Sequence, residues 1–329
     1  MTGTTRMRLA VDIGGANTKA AWFDGESVRT RSRPFEVWRD REALAGVLRE
    51  VGAGPADAVA ITMTAELSDA FRTKREGVAF VLDAAQAAFG DRPLSVLTTA
   101  GELVTAQEAR ARSWDVAAAN WVATALAVAA AYSDALLIDV GSTTTDIVPI
   151  AAGCVAATAD NDLERLLAGE LVYTGVLRTN LAAIAPRVPV RGAWCPVSSE
   201  YFAISGDVHL VLGQLDPEAY DCPTPDGRPA TVAFARERIA RLVCSDVEQL
   251  QEDEIEAIAA YLGGEQLRQI EEAARRARLA PDAPVVAVGS GAFLAREVAA
   301  RLERTVADAP WGASGPAAAL ATLLAAREC

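Results

Sequence analysis

Two acid-tipped turns carry the residues best placed for chemistry in this sequence. Asp12 ends the first apolar run of "LAVDIGGANTKAAWF" (residues 9–23), and Asp139 ends that of "LLIDVGSTTTDIVPI" (136–150). The stretches lie 127 residues apart and keep register: Leu9, Asp12, Gly14 and Thr18 align with Leu136, Asp139, Gly141 and Thr145. Gly14, Gly15 and Gly141 allow backbone angles closed to other residues and let a ligand come close. The exposed amides of such a turn form an anion cradle. Asn17, Thr18, Ser142, Thr143 and Thr144 can add donors to phosphate oxygens, and Lys19 a positive charge. Asp12 and Asp139, facing each other across a cleft beside bound phosphates, suit an oxygen-loving Mg²⁺ held partly through water. The plainer alternative is a pair of β-hairpins with polar turns. A third motif, "VVAVGSG" (285–291), sets Gly289, Ser290 and Gly291 where a strand meets a helix, a nucleotide-binding signal that is weak alone.

A proton acceptor has two candidates. His209 is the single histidine, with Asp207 two residues before it in "GDVHLVLG"; a lone histidine serves as base or ligand, or is structural. Glu66, in "TMTAEL" just past a strand end, competes with it; otherwise it is an acid favoured by a helix dipole. "GELVYTGVLRT" (169–179) offers Tyr173, Thr174 and Arg178 as substrate contacts, with Glu170, Gly175 and Thr179 beside them. Arg178 either clamps a phosphate or carboxylate or makes a surface ion pair. Asn161 and Asp162 follow the second hairpin. Asp216, Tyr220, Asp221, Cys222 and Asp226 sit in "LDPEAYDCPTPDGRP" (215–229), where turn chemistry explains most of the acids.

The elements that must hold these residues read as a mixed α/β pattern. Strands are expected at 8–13, 18–23 and within "SVRTRSRPFEV", then a helix over 39–51 with Leu44, Val47, Leu48 and Val51 on one face. A strand at 57–62, a helix through "GVAFVLDAAQAAF", a strand at 94–98 and an Ala-rich helix at 116–132 follow. At Ala135 the hairpin pattern restarts. Helices are expected at 161–167, 208–212, 236–243 and 246–277, and "APVVAVGSGAFLAREVAARL" reads as strand, glycine turn, helix. The four prolines of 215–229 mark a loop or lid. The restart predicts two domains, 1–133 and 134–314, with a last helix at 315–329 packing back on the first.

At 329 residues and 51% hydrophobic, the chain can bury a large core. Its formal charge of −13 repels nucleic-acid phosphates and anionic membranes, so neither is expected as a partner. The Ala-rich segment at 116–132 falls short of a span and carries Asn120, so a buried core helix is expected. The five cysteines are scattered, with no C-x-x-C pair, which argues for reduced thiols in a cytoplasm. The first residues lack the apolar core of a signal peptide. Oligomeric state stays open.

"VDIGGANTK", "IDVGSTTTD" and "VAVGSG" resemble, in order, the first phosphate loop, second phosphate loop and adenosine-side loop of the actin, hexokinase and heat-shock-chaperone superfamily. The resemblance implies an α/β, actin-like (ribonuclease H-like) duplicated two-domain fold with a central cleft. "GELVYTGVLRT" and "GDVHLVLGQLDPEAYDCPTPDGRPA" (206–230) look like its hydantoinase/oxoprolinase-like branch linked to tetrahydromethanopterin-dependent one-carbon metabolism. That branch implies a transferase making a methanofuran precursor. It would join an aminomethylfuran-methyl diphosphate to the phenol of tyramine or γ-glutamyltyramine and release diphosphate. Mg²⁺ would neutralise the leaving group. The same loops also serve an ATP-dependent kinase or an oxoprolinase-like amide hydrolase, with ATP as cofactor, or a non-catalytic nucleotide switch.

Overall fold

A computed structural model of the chain describes residues 6–311 and 315–326. Its first sheet is built from a hairpin and two parallel additions. β1 (Arg8–Ile13), β2 (Asn17–Phe23) and β3 (Val28–Pro34) run antiparallel in sequence, and β4 (Ala58–Met63) and β5 (Leu94–Leu97) add parallel to β1. β6 (Leu103–Thr105) closes the edge, giving the order β3-β2-β1-β4-β5-β6. The helices α1 (Leu44–Val51) and α2 (Lys74–Phe89) cross between strands. The short α3 (Ala106–Ala111) and α4 (Ser113–Val116) precede α5 (Asn120–Ala131). β6, α3 and α4 are too short for a periodic pattern to register in the sequence.

The second sheet repeats this plan. β7 (Ala135–Val140) and β8 (Thr145–Ala151) form the hairpin, with β9 (Cys154–Val155) paired on β8. After α6 (Asp162–Ala168), β10 (Leu171–Val172) joins the other edge of β8. α7 (Leu181–Ile184), the two-stranded β11 (Arg187–Val190) and β12 (Ala193–Pro196), α8 (Ser205–Val211), α9 (Val232–Arg241) and α10 (Glu252–Arg276) come before the chain returns to the sheet. It does so as β13 (Val285–Val288), parallel to β7, then α11 (Ala292–Arg301) and β14 (Val306–Ala307). The order β10-β8-β7-β13-β14 matches β3-β2-β1-β4-β5 strand for strand. That duplicated antiparallel-then-parallel sheet is the actin-like α/β architecture. The hairpin β11–β12 was missed by the sequence reading, and residues 246–251, read as helix, lie before α10.

Two compact units result. The first holds the described residues up to Ala135, Val148–Ala168 and those from Asp308 on; the second holds Leu136–Ile147 and Gly169–Ala307. In the first, Leu9, Val11, Ile13, Trp22, Val59, Ile61 and Met63 project from one sheet face into a core with Leu44, Leu48, Val78 and Leu82 of α1 and α2. The opposite face is lined by Ala10, Ala21 and Ala60, paired side by side. Such small side chains let α12 (Gly315–Ala326) lie close on β1, β2 and β4, beside α5. Of the last expected helix, residues 327–329 lie outside the described residues. In the second unit, Leu136, Ile138, Val140, Ile147 and Val285 pack with Ile270, Leu294 and Val298. Among the described residues, no helix is long and apolar enough to cross a membrane, and none of the four described cysteines forms a disulfide.

Candidate functional site

The two turns close in the same way, each within its own unit. The Gly14 amide donates to the Asn17 carbonyl at 3.0 Å, and the Gly141 amide to the Thr144 carbonyl at 2.8 Å. The backbone thus reproduces the 127-residue register of the sequence. In the first turn the Gly15 and Ala16 carbonyls accept from the amides of Val37 and Phe35. In the second, Gly141 accepts from Val176, and Ser142 from Leu177 and Arg178. With the carbonyls turned inward, the amides of Gly15, Ala16, Ser142 and Thr143 find no acceptor among the described residues. All the turn residues are partly exposed. Unengaged backbone donors converging at an accessible turn make an anion-binding concavity.

Gly14 acts by size, not by backbone angle, and at Gly15 a Cβ would meet nothing within 4 Å. Gly14, Gly15 and Gly141 do not take the positive φ that the sequence reading reserved for them. A Cβ on Gly14 would lie 2.6 Å from the Asn17 carbonyl oxygen, so the carbonyl across that turn excludes a side chain, whereas one on Gly141 would sit a tight 3.3 Å from that of Thr144. Gly289 does need its freedom: its φ is 88°, and a Cβ there would lie 2.3 Å from the Val140 oxygen and 2.5 Å from Asp139 Oδ1. The third motif is therefore packed against the acid of the second. Gly291 also belongs to this contact, but its amide donates to the Val140 carbonyl at 2.8 Å and is not free for a ligand.

One expected donor, Thr18, lies elsewhere, as does Thr145, its counterpart in the repeat. Thr18 and Thr145 are fully buried, and Thr145 Oγ1 donates to the Thr174 carbonyl at 2.7 Å. Thr18 pairs with Ile13 and so shares the core-facing side of the sheet. The hydroxyl therefore points beneath the turn and not into it. Lys19 is exposed and pairs directly with Asp12, which pairs on its other side with Thr62. Lys19, Asp12 and Thr62 thus form a polar row on one sheet face.

Past β4, Thr64 donates its amide to the Ile13 carbonyl at 2.9 Å and leads into a 3-10 turn at Ala65–Leu67 that carries Glu66. Glu66 is 1% exposed, and neither carboxylate oxygen makes a well-formed hydrogen bond to a described residue. Burial raises its pKa to about 8, opposed by its own amide, by Lys74 and by the Ala118 amide. Lys74 in turn pairs with Asp162 at 2.8 Å. α2 is threaded close to this acid: a Cβ on Gly77 would fall 2.4 Å from the Glu66 carbonyl oxygen. Asn161, the neighbour of Asp162, accepts from the Glu164 amide at 3.1 Å as a helix-start cap.

His209 occupies a different setting. It is fully buried on α8, edge-on to the Phe293 ring, and burial lowers its pKa. Nδ1 lies 2.9 Å from the Gln214 side chain, and Nε2 lies 2.8 Å from Gln266 Oε1. Gln266 Nε2 donates to Thr174 Oγ1 at 2.9 Å and to the Gly175 carbonyl at 2.7 Å, which fixes its oxygen toward the histidine. Each ring nitrogen thus faces a glutamine oxygen, Nδ1 that of Gln214 and Nε2 that of Gln266, so the ring is engaged on both sides. Of the "YTGVLR" residues, Tyr173 is 61% exposed, Arg178 is partly exposed and Thr174 is buried.

Gln266 did not stand out in the sequence, and Gly175 showed there only as a neighbour of the expected substrate contacts. A Cβ on Gly175 would come within 2.5 Å of the Thr143 backbone, so this glycine lets the 175–178 segment lie flat on the second turn. The Pro-rich segment is tied down as well. Tyr220 is buried and donates to Asp207, which is fully buried with Arg238 at 2.6 Å; Asp226 reaches the same arginine at 3.2 Å. Asp216 caps a short 3-10 turn by accepting from the Glu218 amide.

No three His, Cys, Asp or Glu side chains among the described residues form a metal cage. One carboxylate beside free turn amides, as at Asp12 and again at Asp139, is instead what Mg²⁺ uses when phosphate and water complete its shell. The donor set fits a metal that arrives with a phosphate group.

The hydantoinase/oxoprolinase family model matches residues 57–328. The chain is 39% identical over 267 residues to the (4-{4-[2-(γ-L-glutamylamino)ethyl]phenoxymethyl}furan-2-yl)methanamine synthase of Methanocaldococcus jannaschii, covering 81% of this chain and 80% of that protein. It is 47% identical over 119 residues to the synthase of the same name from Methanococcus vannielii, covering 36% of this chain and 53% of that protein. Among solved structures, nucleotide-free acetone carboxylase superposes with a TM-score of 0.52 at 10% identity, over 87% of this chain and 66% of that one. That likeness concerns the fold alone. By its sequence, over most of its length, the chain belongs to the hydantoinase/oxoprolinase family.

Proposed function

We propose that this protein is a synthase of methanofuran-type cofactor biosynthesis that forms an aryl ether and releases diphosphate. Its substrates would be an aminomethylfuran-methyl diphosphate and the phenol of tyramine or γ-glutamyltyramine. The observation that carries the reading is the similarity, across four-fifths of the chain, to a synthase whose named product holds a phenoxymethyl-furan ether. Two turns with free amides beside an acid give that reaction a place for a diphosphate.

In the reaction, the phenol oxygen bonds to the furanmethyl carbon as the bond from that carbon to diphosphate oxygen breaks. The phenolic proton leaves to a base and the electron pair leaves with diphosphate. The amides of Gly15 and Ala16, or of Ser142 and Thr143, hold the phosphate oxygens. Asp12 in the first unit, or Asp139 in the second, offers a carboxylate to a Mg²⁺ that, when bound, would neutralise charge on the leaving group. Glu66 is the favoured base. Its pKa of about 8 approaches that of a phenol, about 10, which makes proton transfer efficient. His209 has both ring nitrogens engaged by glutamines and serves the unit's interior instead.

The test is mass spectrometry of products from purified protein. Given a furanmethyl diphosphate and tyramine or γ-glutamyltyramine without ATP, the ether and diphosphate should appear, with no diphosphate release when the phenol is omitted. Consumption of ATP alone, with no ether formed, overturns the synthase reading in favour of an ATP-dependent enzyme of the same fold.

A further inference from the structure

We infer that Gln266, braced by His209, is a positioning residue that sets the second phosphate-binding turn through Gly175. The inference rests on the reading that this turn holds a diphosphate. Four layers of contact lead from the centre of the second unit to the turn. His209 Nε2 fixes Gln266 Oε1 at 2.8 Å. The amide of Gln266 then grips Thr174 Oγ1 and the Gly175 carbonyl. That carbonyl also accepts from Ser205 Oγ at 2.7 Å, so both of its lone pairs are directed. The peptides that follow Gly175 donate to the Gly141 and Ser142 carbonyls, which orients the turn, while the Ser142 and Thr143 amides find no acceptor among the described residues.

Gln266 is 1% exposed on a helix whose other face is lined with charged residues, and it lies 91 residues from Gly175. A buried glutamine whose amide is satisfied on both ends is retained at an interior helix position where leucine would bury more apolar surface. Both turns have their carbonyls met by backbone amides, those of Phe35 and Val37 in the first and of Val176, Leu177 and Arg178 in the second, and in the second the donor segment is itself gripped at Gly175 by the side chains of Gln266, Ser205 and Thr179. The second turn therefore depends on a side-chain network for its shape, and small changes deep in the unit should alter phosphate affinity.

The experiment compares wild type, Gln266→Met and Thr174→Val. Calorimetry measures inorganic diphosphate binding in the presence of Mg²⁺, and steady-state kinetics measures the KM of each substrate. Gln266→Met removes both ends of the relay and should weaken diphosphate binding about 10-fold, or about 1.4 kcal/mol. The KM of the furanmethyl diphosphate should rise in step while that of the phenol stays unchanged. Thr174→Val removes one acceptor and should weaken binding about 3-fold, which keeps the question answerable if Gln266→Met does not fold. A purely structural role predicts a lower melting temperature with unchanged affinity in the folded fraction, and that result overturns the inference. If wild type binds MgATP but not diphosphate, the synthase reading falls, and the same comparison on MgATP decides the role of Gln266. Binding of neither overturns both.

Discussion

Replacing Glu66 by glutamine should make the protein more stable and less active at once. Folding raises this carboxyl from 4.5 to about 8, with burial as the main cause. A group whose folded pKa is raised contributes fully to stability below its unfolded pKa, and that contribution is lost as pH rises through the folded value. At pH 7 the unfolded chain ionises Glu66 freely while the folded chain keeps it mostly protonated. The difference disfavours the folded state by about 3 kcal/mol. Glutamine has nearly the same shape and cannot ionise, so Glu66→Gln should exceed wild type in stability by about that amount at neutral pH. The advantage should shrink toward zero below about pH 5 and level off above about pH 8. Denaturant unfolding across this range, followed by circular dichroism, reads the difference curve. Activity should move the other way: loss of a general base costs about 10²- to 10⁴-fold in kcat. The wild-type rate should itself climb with pH and flatten near 8. A stability difference that stays constant with pH, or wild-type turnover in the variant, refutes the assignment.

Other perturbations test the turns and the core. Asp12→Asn and Asp139→Asn should each lower turnover by about 100-fold or more with unchanged circular dichroism, and retained wild-type rates would remove these carboxylates from the metal site. Gly289→Ala forces a Cβ onto the Val140 carbonyl and Asp139 in a left-handed conformation; it should cost about 1 to 3 kcal/mol in urea unfolding and weaken diphosphate binding. Arg238→Met leaves Asp207 buried without its cation and should cost about 3 to 5 kcal/mol, read by the same unfolding assay; a loss below about 1 kcal/mol would mean the pair is dispensable.

Much of the architecture was legible because it is written in local patterns. The apolar strands ending in Asp12 and Asp139, the glycine turns and the restart at Ala135 all show in the sequence, and the matching sheet orders follow from them. The Ala-rich segment read as a core helix is α5, whose residues are mostly buried. The hairpin of β11 and β12 and the short α3 and α4 stayed hidden, since elements of three to six residues show too few turns of any period. Among candidate site residues, side-chain direction was what could not be read. Thr18 looked like a phosphate donor, yet strand alternation turns it into the core, while Lys19 falls beside Asp12.

What the sequence determined alone is the repeated acid-and-amide turn, because a strand end, a glycine and an acid at fixed spacing are properties of neighbouring residues. What tertiary structure decided is which amides remain free and which buried groups are paired. The Ser142 and Thr143 amides are left without a described acceptor while the Val176, Leu177 and Arg178 amides engage the turn carbonyls, on a segment whose Gly175 carbonyl is held by Gln266, Ser205 and Thr179. Glu66 was visible as an acid, but its unmet oxygens and raised pKa arise from the packing of α2 and of residues near Ala118 around it. Hydrogen-bond satisfaction and desolvation depend on groups tens of residues away in the chain, so only the folded molecule assigns them.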